Sequence, residues 1–189
     1  MAQNFNDKLK EIIKILLDEP EWDRRIVIPD EAYLRDVLAQ VIILDCNTAG
    51  KKIDELKEDI ERPDNRYVQM QPYFLIFISY AYSLLSLGTD SLHYAQRAYP
   101  YKWNNDWRQA LSYWFLGLVY LQNNCVEEAR NELTSAQNKL ERYCEISQDK
   151  YVRTSVCRNY INEIKKIIEE IRVKWGDFRT DDKTSIYNI

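Results

Sequence analysis

The sequence predicts an all-α protein, and three observations lead to that prediction. The chain of 189 residues contains only 4 Gly and 5 Pro, so turns are few and long helices are favoured over many short strands. Apolar residues recur at intervals of three and four along most of the chain, which is the spacing of a helix with one buried face. No segment shows the alternation of apolar and polar residues that is typical of a half-buried strand.

Length and composition predict one folded domain over residues 1–176. A chain of this size buries roughly 70% of the surface of its unfolded form, so folding requires no metal or disulfide. Hydrophobic residues make up 46% and charged residues 30% of the sequence, which is typical of a globular protein. The last residues, 177–189, are polar and are predicted to form a flexible tail.

The N-terminal part, residues 3–62, is predicted to contain two or three helices. The first carries apolar residues at helical spacing between Phe5 and Leu17. The second begins at Pro29, because proline is tolerated in the first turn of a helix. Its apolar stripe continues beyond residue 44, so the chain up to residue 61 either forms one long helix or turns at residues 47–50.

The middle part contains the two most apolar helices of the chain. The first is predicted over residues 68–87, and Gly-Thr-Asp at 88–90 is expected to separate it from a short helix over 91–98. Residues 99–106 are predicted to form a loop whose last residue, an aspartate, caps the second apolar helix over 107–122. Both apolar helices are expected to be buried on more than one side.

Two further helices follow a turn at residues 123–124. The first is predicted over 126–143, with small or apolar residues along one side. The second, a long helix over 148–175, carries a stripe of isoleucines that ends at Trp175, and Gly176 is expected to stop it.

The helix pair over residues 107–143 carries small and apolar residues at fixed offsets. Leu116, Gly117 and Tyr120 on the first helix are followed by Ala129 and Ala136 on the second. These residues match the tetratricopeptide-repeat signature, in which small residues let two antiparallel helices approach closely. Three other positions of the signature differ, with Tyr113 in place of Trp, Leu133 in place of an aromatic residue and Glu141 in place of Pro.

A second copy of the pattern lies 38 residues upstream. Its members are Ile78, Ser79, Tyr82, Ser91, Ala95 and Ala98. The chain therefore resembles tetratricopeptide-repeat proteins over residues 72–143. The resemblance implies antiparallel helical hairpins stacked as a short right-handed α-solenoid, capped by the N-terminal helices and by the long C-terminal helix.

The resemblance also implies a function, because proteins of this family usually bind a peptide or helix of another protein in a concave groove. The residues at groove positions are Tyr73, Ile76, Tyr80, Leu111, Trp114, Leu118 and Gln122. Most are apolar, whereas the family members that bind chaperone tails use Lys and Asn there. An amphipathic helix of a partner is therefore the expected ligand. Alternatively, the C-terminal helix of this chain fills the groove.

A second candidate site and a second candidate function follow from other aromatic and apolar residues. Tyr101 and Trp103 in the loop either contact the partner, since aromatic residues are enriched at interfaces, or cover an edge of the core. Similarly, the apolar stripe that ends at Trp175 would suit a structural module that self-associates through its C-terminal helix. A homo-oligomer is thus an alternative to a protein-binding adaptor.

Catalytic and metal chemistry are not expected. The single histidine, His93, has no obvious Cys or Ser partner in the sequence, and the four cysteines form no C-x-x-C pair. No Gly-rich phosphate loop is present. We therefore predict a non-catalytic adaptor or regulatory subunit that uses no cofactor and no metal.

Charge and hydropathy limit the expected partners. The net charge is −4 with acids and bases interleaved, whereas a nucleic-acid-binding protein usually presents a basic face. The most hydrophobic stretch, residues 73–87, is shorter than the roughly 20 residues of a membrane span. No secretion signal is visible at the N-terminus. The prediction is a cytoplasmic protein with reduced thiols that binds another protein, but neither nucleic acid nor membrane.

Overall fold

The computed structural model describes residues 5–17, 31–61, 65–101, 106–146 and 152–176. These residues form eight α-helices and no strand, which confirms the predicted all-α class. The helices are α1 (Phe5–Leu17), α2 (Glu31–Val41), α3 (Ala49–Glu61), α4 (Asn65–Leu84), α5 (Gly88–Ala98), α6 (Asp106–Gln122), α7 (Val126–Ile146) and α8 (Val152–Trp175).

The helix ends agree with the sequence pattern where a clear stop signal is present. Gly176 follows α8 with a φ of 79°, a left-handed conformation that glycine adopts without steric cost. Its amide donates to the Arg172 carbonyl at 2.9 Å, which closes the last turn. The predicted start of this helix near residue 148 and the predicted flexible tail, 177–189, lie outside the described residues.

Residues 42–48 form a turn, so the N-terminal stripe is divided into two helices rather than continued as one. The Asp45 carboxylate accepts hydrogen bonds from the amides of Asn47 and Thr48, both at 2.9 Å. The Thr48 hydroxyl also donates to the same carboxylate at 2.8 Å. These local bonds satisfy amides at the start of α3, and they explain why the break centres on Asp45 while Gly50 lies within α3.

The predicted break at residues 88–90 is wrong, because these residues form the first turn of α5. The chain turns instead at Leu85–Leu87, where Ser86 adopts a φ of 58°. Gly88 lies instead at a close tertiary contact. A Cβ atom at this position would lie 2.6 Å from Oδ1 of Asn123, so the two inter-helix turns approach each other here.

The α4–α5 and α6–α7 connections share one hydrogen-bond pattern at an interval of 38 residues. The Leu87 amide donates to the Tyr82 carbonyl at 3.0 Å, and the Cys125 amide donates to the Tyr120 carbonyl at 3.0 Å. Asn124 has the same φ of 58° as Ser86. The offset found in the sequence therefore relates two helical hairpins with matching turns.

The small residues of the motif lie where the helices of each hairpin are close. A Cβ atom on Gly117 would be 2.9 Å from Cγ of Leu133 and 3.3 Å from the carbonyl oxygen of Ala129. In the upstream hairpin the hydroxyl of Ser79 donates to the carbonyl of Ser91 at 2.8 Å. Gly117 and Ala129 thus face each other, as the spacing predicted.

From α3 to α8, each helix packs against the next along the chain, most extensively α6 against α7. The first helix departs from this order, because α1 packs against both α4 and α6. The apolar helices α4 and α6 lie in the middle of the core, and the largest buried side chains, Trp107, Trp114, Tyr80, Phe74, Phe77 and Phe115, all belong to them.

Candidate protein-binding groove

Six of the seven residues predicted to line a groove are buried, and the seventh, Gln122, is half-buried. At least three of the seven interact with α1, namely Tyr80 of α4, and Trp114 and Gln122 of α6. We call the surface formed by these three residues the α4–α6 groove. Farther along α4, Tyr73 packs instead against the guanidinium of Arg108, which lies 5.9 Å from the tyrosine ring centroid.

The occupant of the α4–α6 groove is α1. Its apolar face is fully covered, and the buried side chains are Leu9, Ile12, Ile13, Leu16 and Leu17. Their spacing is that of an amphipathic helix with one buried stripe. The groove is therefore neither open nor filled by α8 alone, which were the two arrangements that the sequence left open.

Polar contacts at the N-terminal end of α1 set its position in the groove. The Gln122 side-chain amide donates to the Asn6 side-chain carbonyl at 3.1 Å, and the Ser83 hydroxyl donates to the same oxygen at 2.6 Å. Because these partners belong to α6 and α4 respectively, Asn6 links α1 to both walls of the groove.

Lys8 adds a charged contact at the same end of α1. Its ammonium pairs with Glu11 at 2.6 Å and with Glu163 of α8, and it lies 5.8 Å from the Trp114 ring centroid. Burial lowers the pKa of Lys8, but the hydrogen bonds to the two carboxylates outweigh burial and raise it above its ordinary value. Lys8 therefore stays charged at physiological pH.

Tyr80 is a second titratable residue in the groove, and it is neutral. Burial, with a smaller contribution from the charge of Asp7, raises the pKa of Tyr80 from 10.0 to about 12. Its phenol therefore remains protonated throughout the physiological pH range. Neither Tyr80 nor Lys8 changes charge near neutral pH. The contacts that these two groups make in the groove therefore do not change with pH in this range.

An open cavity of about 430 Å³ lies at the end of the groove, beside the first turn of α1. Its lining residues are Phe5, Asn6, Asp7, Ser83, Ser86, Gly88, Leu121, Gln122 and Asn124. The cavity is bordered by both inter-helix turns and by the N-terminal turn of α1, so it would lengthen the groove for a helix that extends farther than α1 does.

α8 contributes an aromatic cluster to the other side of Trp114. The Tyr160 ring centroid lies 5.6 Å from that of Trp114 and 5.9 Å from that of Trp107, and Tyr143 lies 5.6 Å from Trp107. Both indole nitrogens are buried and have no hydrogen-bond partner in the described parts of the chain. The two tryptophans therefore contribute apolar volume to the core, at the cost of two unsatisfied donors.

Of the two residues of the second predicted site, Tyr101 and Trp103, the structure describes only the first. Tyr101 is half-buried against the core, and its hydroxyl donates to the Gln71 side-chain carbonyl at 2.5 Å. This contact supports the alternative in which the tyrosine covers an edge of the core. Trp103 lies outside the described residues.

The four cysteines are free thiols with very different exposure. Cys46 is exposed, Cys125 and Cys144 are half-buried, and Cys157 is buried. Burial, followed by a hydrogen bond with Cys144, raises the pKa of Cys157 well above its ordinary value. Among the described residues, no three His, Cys, Asp or Glu side chains come together in a way that could hold a metal ion.

None of the helices in the described parts of the chain has both the length and the apolar character required to cross a membrane. In comparisons with known proteins, the chain matches no family model, no curated protein and no solved structure.

The sequence did not identify α1 as the helix that lies in the groove. Both α1 and α8 carry aliphatic stripes at helical spacing, so periodicity alone could not decide between them. Asn6 was one available signal, since an amide near the start of a short apolar helix matches the polar pair Ser83 and Gln122.

Proposed function

We propose that this chain is a non-catalytic adaptor or regulatory subunit of the tetratricopeptide-repeat type, which binds an amphipathic helix of another protein in the α4–α6 groove. The observation that supports the proposal is that α1 occupies this groove with one continuous apolar face. A surface that takes one amphipathic helix is suited to another with the same spacing of apolar residues. The four free thiols favour a cytoplasmic location.

In this proposal the partner helix takes the place of α1. It would present aliphatic side chains at the positions of Leu9, Ile12, Ile13 and Leu16, and a polar residue near the position of Asn6. Because α1 is part of the same chain, it competes at a high effective concentration, on the order of millimolar for a short linker. Only a helix with a better fit, or one that also fills the neighbouring cavity, would displace it.

A peptide with the sequence of α1 tests whether the groove accepts a helix in trans. The full chain is prepared with Ile12→Ala, which weakens docking of its own α1, and with Lys14→Ala, which changes an exposed residue of the same helix. We expect the peptide to bind the Ile12→Ala chain at least about tenfold more tightly than the Lys14→Ala chain, since a buried isoleucine truncated to alanine costs about 2–5 kcal/mol.

Fluorescence anisotropy of the labelled peptide, with a scrambled peptide as control, measures both affinities. Equal binding to the two variants would contradict the proposal, and so would loss of the whole helical fold in Ile12→Ala. In the latter case α1 would be an integral part of the core rather than an occupant of the groove.

Self-association through α8 is the second candidate function, and the exposure of its last turns favours it. Val173 is 77% and Trp175 is 38% exposed, although Ile171 in the same turn is buried. Multi-angle light scattering over a hundredfold range of concentration tests this candidate. A concentration-dependent dimer that Val173→Lys abolishes would support self-association, whereas a monomer at every concentration would rule it out.

A further inference from the structure

Three tyrosines and one carboxylate belong to the region in which α5 and α7 pack against α6. Tyr99 directly follows α5, Tyr113 and Tyr120 belong to α6, and Glu132 belongs to α7. The ring centroids of Tyr99 and Tyr113 are 5.4 Å apart, with the rings tilted by 41°. Tyr99 is 42% exposed, so the group is open to solvent on one side.

Glu132 is the unusual member of this group. One of its carboxylate oxygens is buried, and that oxygen has no hydrogen-bond partner among the described residues. The residues one turn away on α7 are Glu128, Ala129, Ser135 and Ala136, so no Lys or Arg lies at these positions. A buried carboxylate oxygen without a partner costs stability, and such costs are commonly retained where a ligand supplies the missing contact.

The carboxylate influences the tyrosine beside it. Burial is the first cause that raises the pKa of Tyr99, and the charge of Glu132 is the second, followed by the hydroxyl of Tyr113. Burial likewise raises the pKa of Glu132 itself. Geometry places both groups near the α6–α7 crossing, because Gly117, one turn from Tyr113, contacts Leu133, the residue next to Glu132.

The upstream hairpin contains a related aromatic group that holds a cation. There, Tyr82 and Tyr94 stack with centroids 5.4 Å apart, and the ammonium of Lys57 lies 5.3 Å from the first ring and 5.6 Å from the second. Lys57 also donates to the Tyr82 hydroxyl at 2.8 Å. A lysine of the same chain, on α3, thus supplies a cation to the two tyrosines.

The repeat offset relates two members of the downstream group to the upstream one, whereas the other two tyrosines have no tyrosine counterpart there. Tyr120 and Glu132 follow Tyr82 and Tyr94 by 38 residues each. The Tyr120 hydroxyl accepts its hydrogen bond from Gln96, at 3.0 Å, whereas the Tyr82 hydroxyl accepts from Lys57. The downstream tyrosine is therefore bonded to a neutral amide instead of a cation, and a carboxylate takes the place of the second upstream tyrosine.

From this comparison we propose that Tyr99, Tyr113, Tyr120 and Glu132 form a binding site for an organic cation, namely the guanidinium or ammonium group of an arginine or lysine side chain on a partner protein. The tyrosine rings supply cation–π attraction, and the carboxylate supplies the countercharge. The site involves the sides of α6 that face α5 and α7, whereas α1 lies against Trp114, so this inference does not depend on the proposed groove.

A titration of the full chain with two small cations tests the site. Arginine amide, acetylated at its α-amino group, represents the side chain of a partner, and tetramethylammonium represents a free quaternary ammonium ion. Sodium chloride at equal ionic strength is the control for screening. We expect saturable shifts of the Tyr99 and Tyr113 ring resonances with arginine amide, with a dissociation constant in the millimolar range, since one exposed cation–π contact is weak.

Two matched variants distinguish a specific binding site from a general effect of surface charge. Glu132→Gln and Glu128→Gln each remove one negative charge from α7, but Glu128 is exposed and lies one turn away. We expect Glu132→Gln to weaken binding of arginine amide at least about fivefold and Glu128→Gln to change it less than about twofold, because only the first removes the direct countercharge. Tyr99→Leu is expected to weaken binding as well.

The proposal would be overturned by the absence of saturable shifts with arginine amide, or by equal weakening in the two glutamate variants. Saturable binding of tetramethylammonium without arginine amide would overturn the assignment to a side chain of a partner. Thermal unfolding of each variant shows that it is folded, and Glu132→Gln is expected to unfold at or above the temperature of the unmodified chain.

Discussion

Gly117 is a residue at which two helices, α6 and α7, approach each other closely. Alanine is favoured over glycine within a helix by about 1 kcal/mol, but a Cβ atom here would overlap the Leu133 side chain at 2.9 Å. We expect overpacking to outweigh the propensity gain, so that Gly117→Ala lowers the free energy of unfolding by about 1–2 kcal/mol. Urea denaturation measures the change.

Gly50 is the matched control for this prediction. It also lies within a helix, but apart from its chain neighbours and the backbone of its own helix, no atom of the described residues comes within 4 Å of the Cβ position. Gly50→Ala is therefore expected to raise the free energy of unfolding by about 0.5–1 kcal/mol. If both substitutions stabilise the protein, the helices do not cross at Gly117 in the way described.

Substitutions of Trp114 test whether this residue belongs to the core or to a surface that is open to a partner. Its side chain is fully buried, so Trp114→Ala is expected to cost about 3–5 kcal/mol of unfolding free energy. Trp114→Phe is expected to cost less, because it keeps much of the ring volume and removes the buried indole N–H that has no partner. Equal costs for the two variants, read from chemical denaturation, would contradict this account.

Glu132 gives the chain a defined pH dependence. Burial raises its pKa in the folded state above the ordinary value of 4.5, so the folded protein holds this proton more tightly than the unfolded chain does. The resulting stabilisation is complete below the unfolded pKa and is lost as the pH rises through the folded pKa. We therefore expect Glu132→Gln to be more stable than the unmodified chain at pH 7, with the difference shrinking towards pH 4.

Thermal unfolding of the two chains at pH 4 and pH 7 measures this difference, and Glu128→Gln serves as the control because its carboxylate is exposed. A Glu132→Gln chain that is less stable than the unmodified chain at pH 7 would indicate that the carboxylate is satisfied in the folded protein.

At the scale of elements, the sequence predicted helices well where periodicity and stop signals coincide. Residues 107–122 were predicted as a doubly buried helix, and α6 is buried around most of its circumference. The break between α2 and α3 could not be decided, because the apolar stripe continues through it and only the hydrogen bonds of Asp45 reveal the turn. The break predicted at Gly88 was wrong because this glycine makes a tertiary contact with Asn123, and a local sequence pattern cannot predict such a contact.

The candidate sites were less predictable than the helices for the same reason. The groove positions followed from the spacing of Tyr80, Trp114 and Gln122, but the identity of the helix that covers them depends on tertiary packing. The tyrosine and carboxylate group joins three helices, so no window of sequence contains it. Only the comparison of Lys57, which donates to Tyr82, with Gln96, which donates to Tyr120 and lies 39 residues later, indicates that the downstream group lacks a cation.

At the scale of the whole molecule, each helix from α3 to α8 packs against the next, whereas α1 packs against α4 and α6 outside that order. Parts of a folded protein can open locally with different free energies. If α1 is a replaceable occupant of the α4–α6 groove, it opens more easily than the hairpin beneath it.

Native-state hydrogen exchange of the full chain tests this requirement most directly. We predict that the amides of α1 exchange through an opening whose free energy lies at least about 2 kcal/mol below that of α6 and α7, as expected for a locally opening unit. Exchange of α1, α6 and α7 with one common free energy, equal to that of global unfolding, would contradict the proposal that a partner helix can take the place of α1.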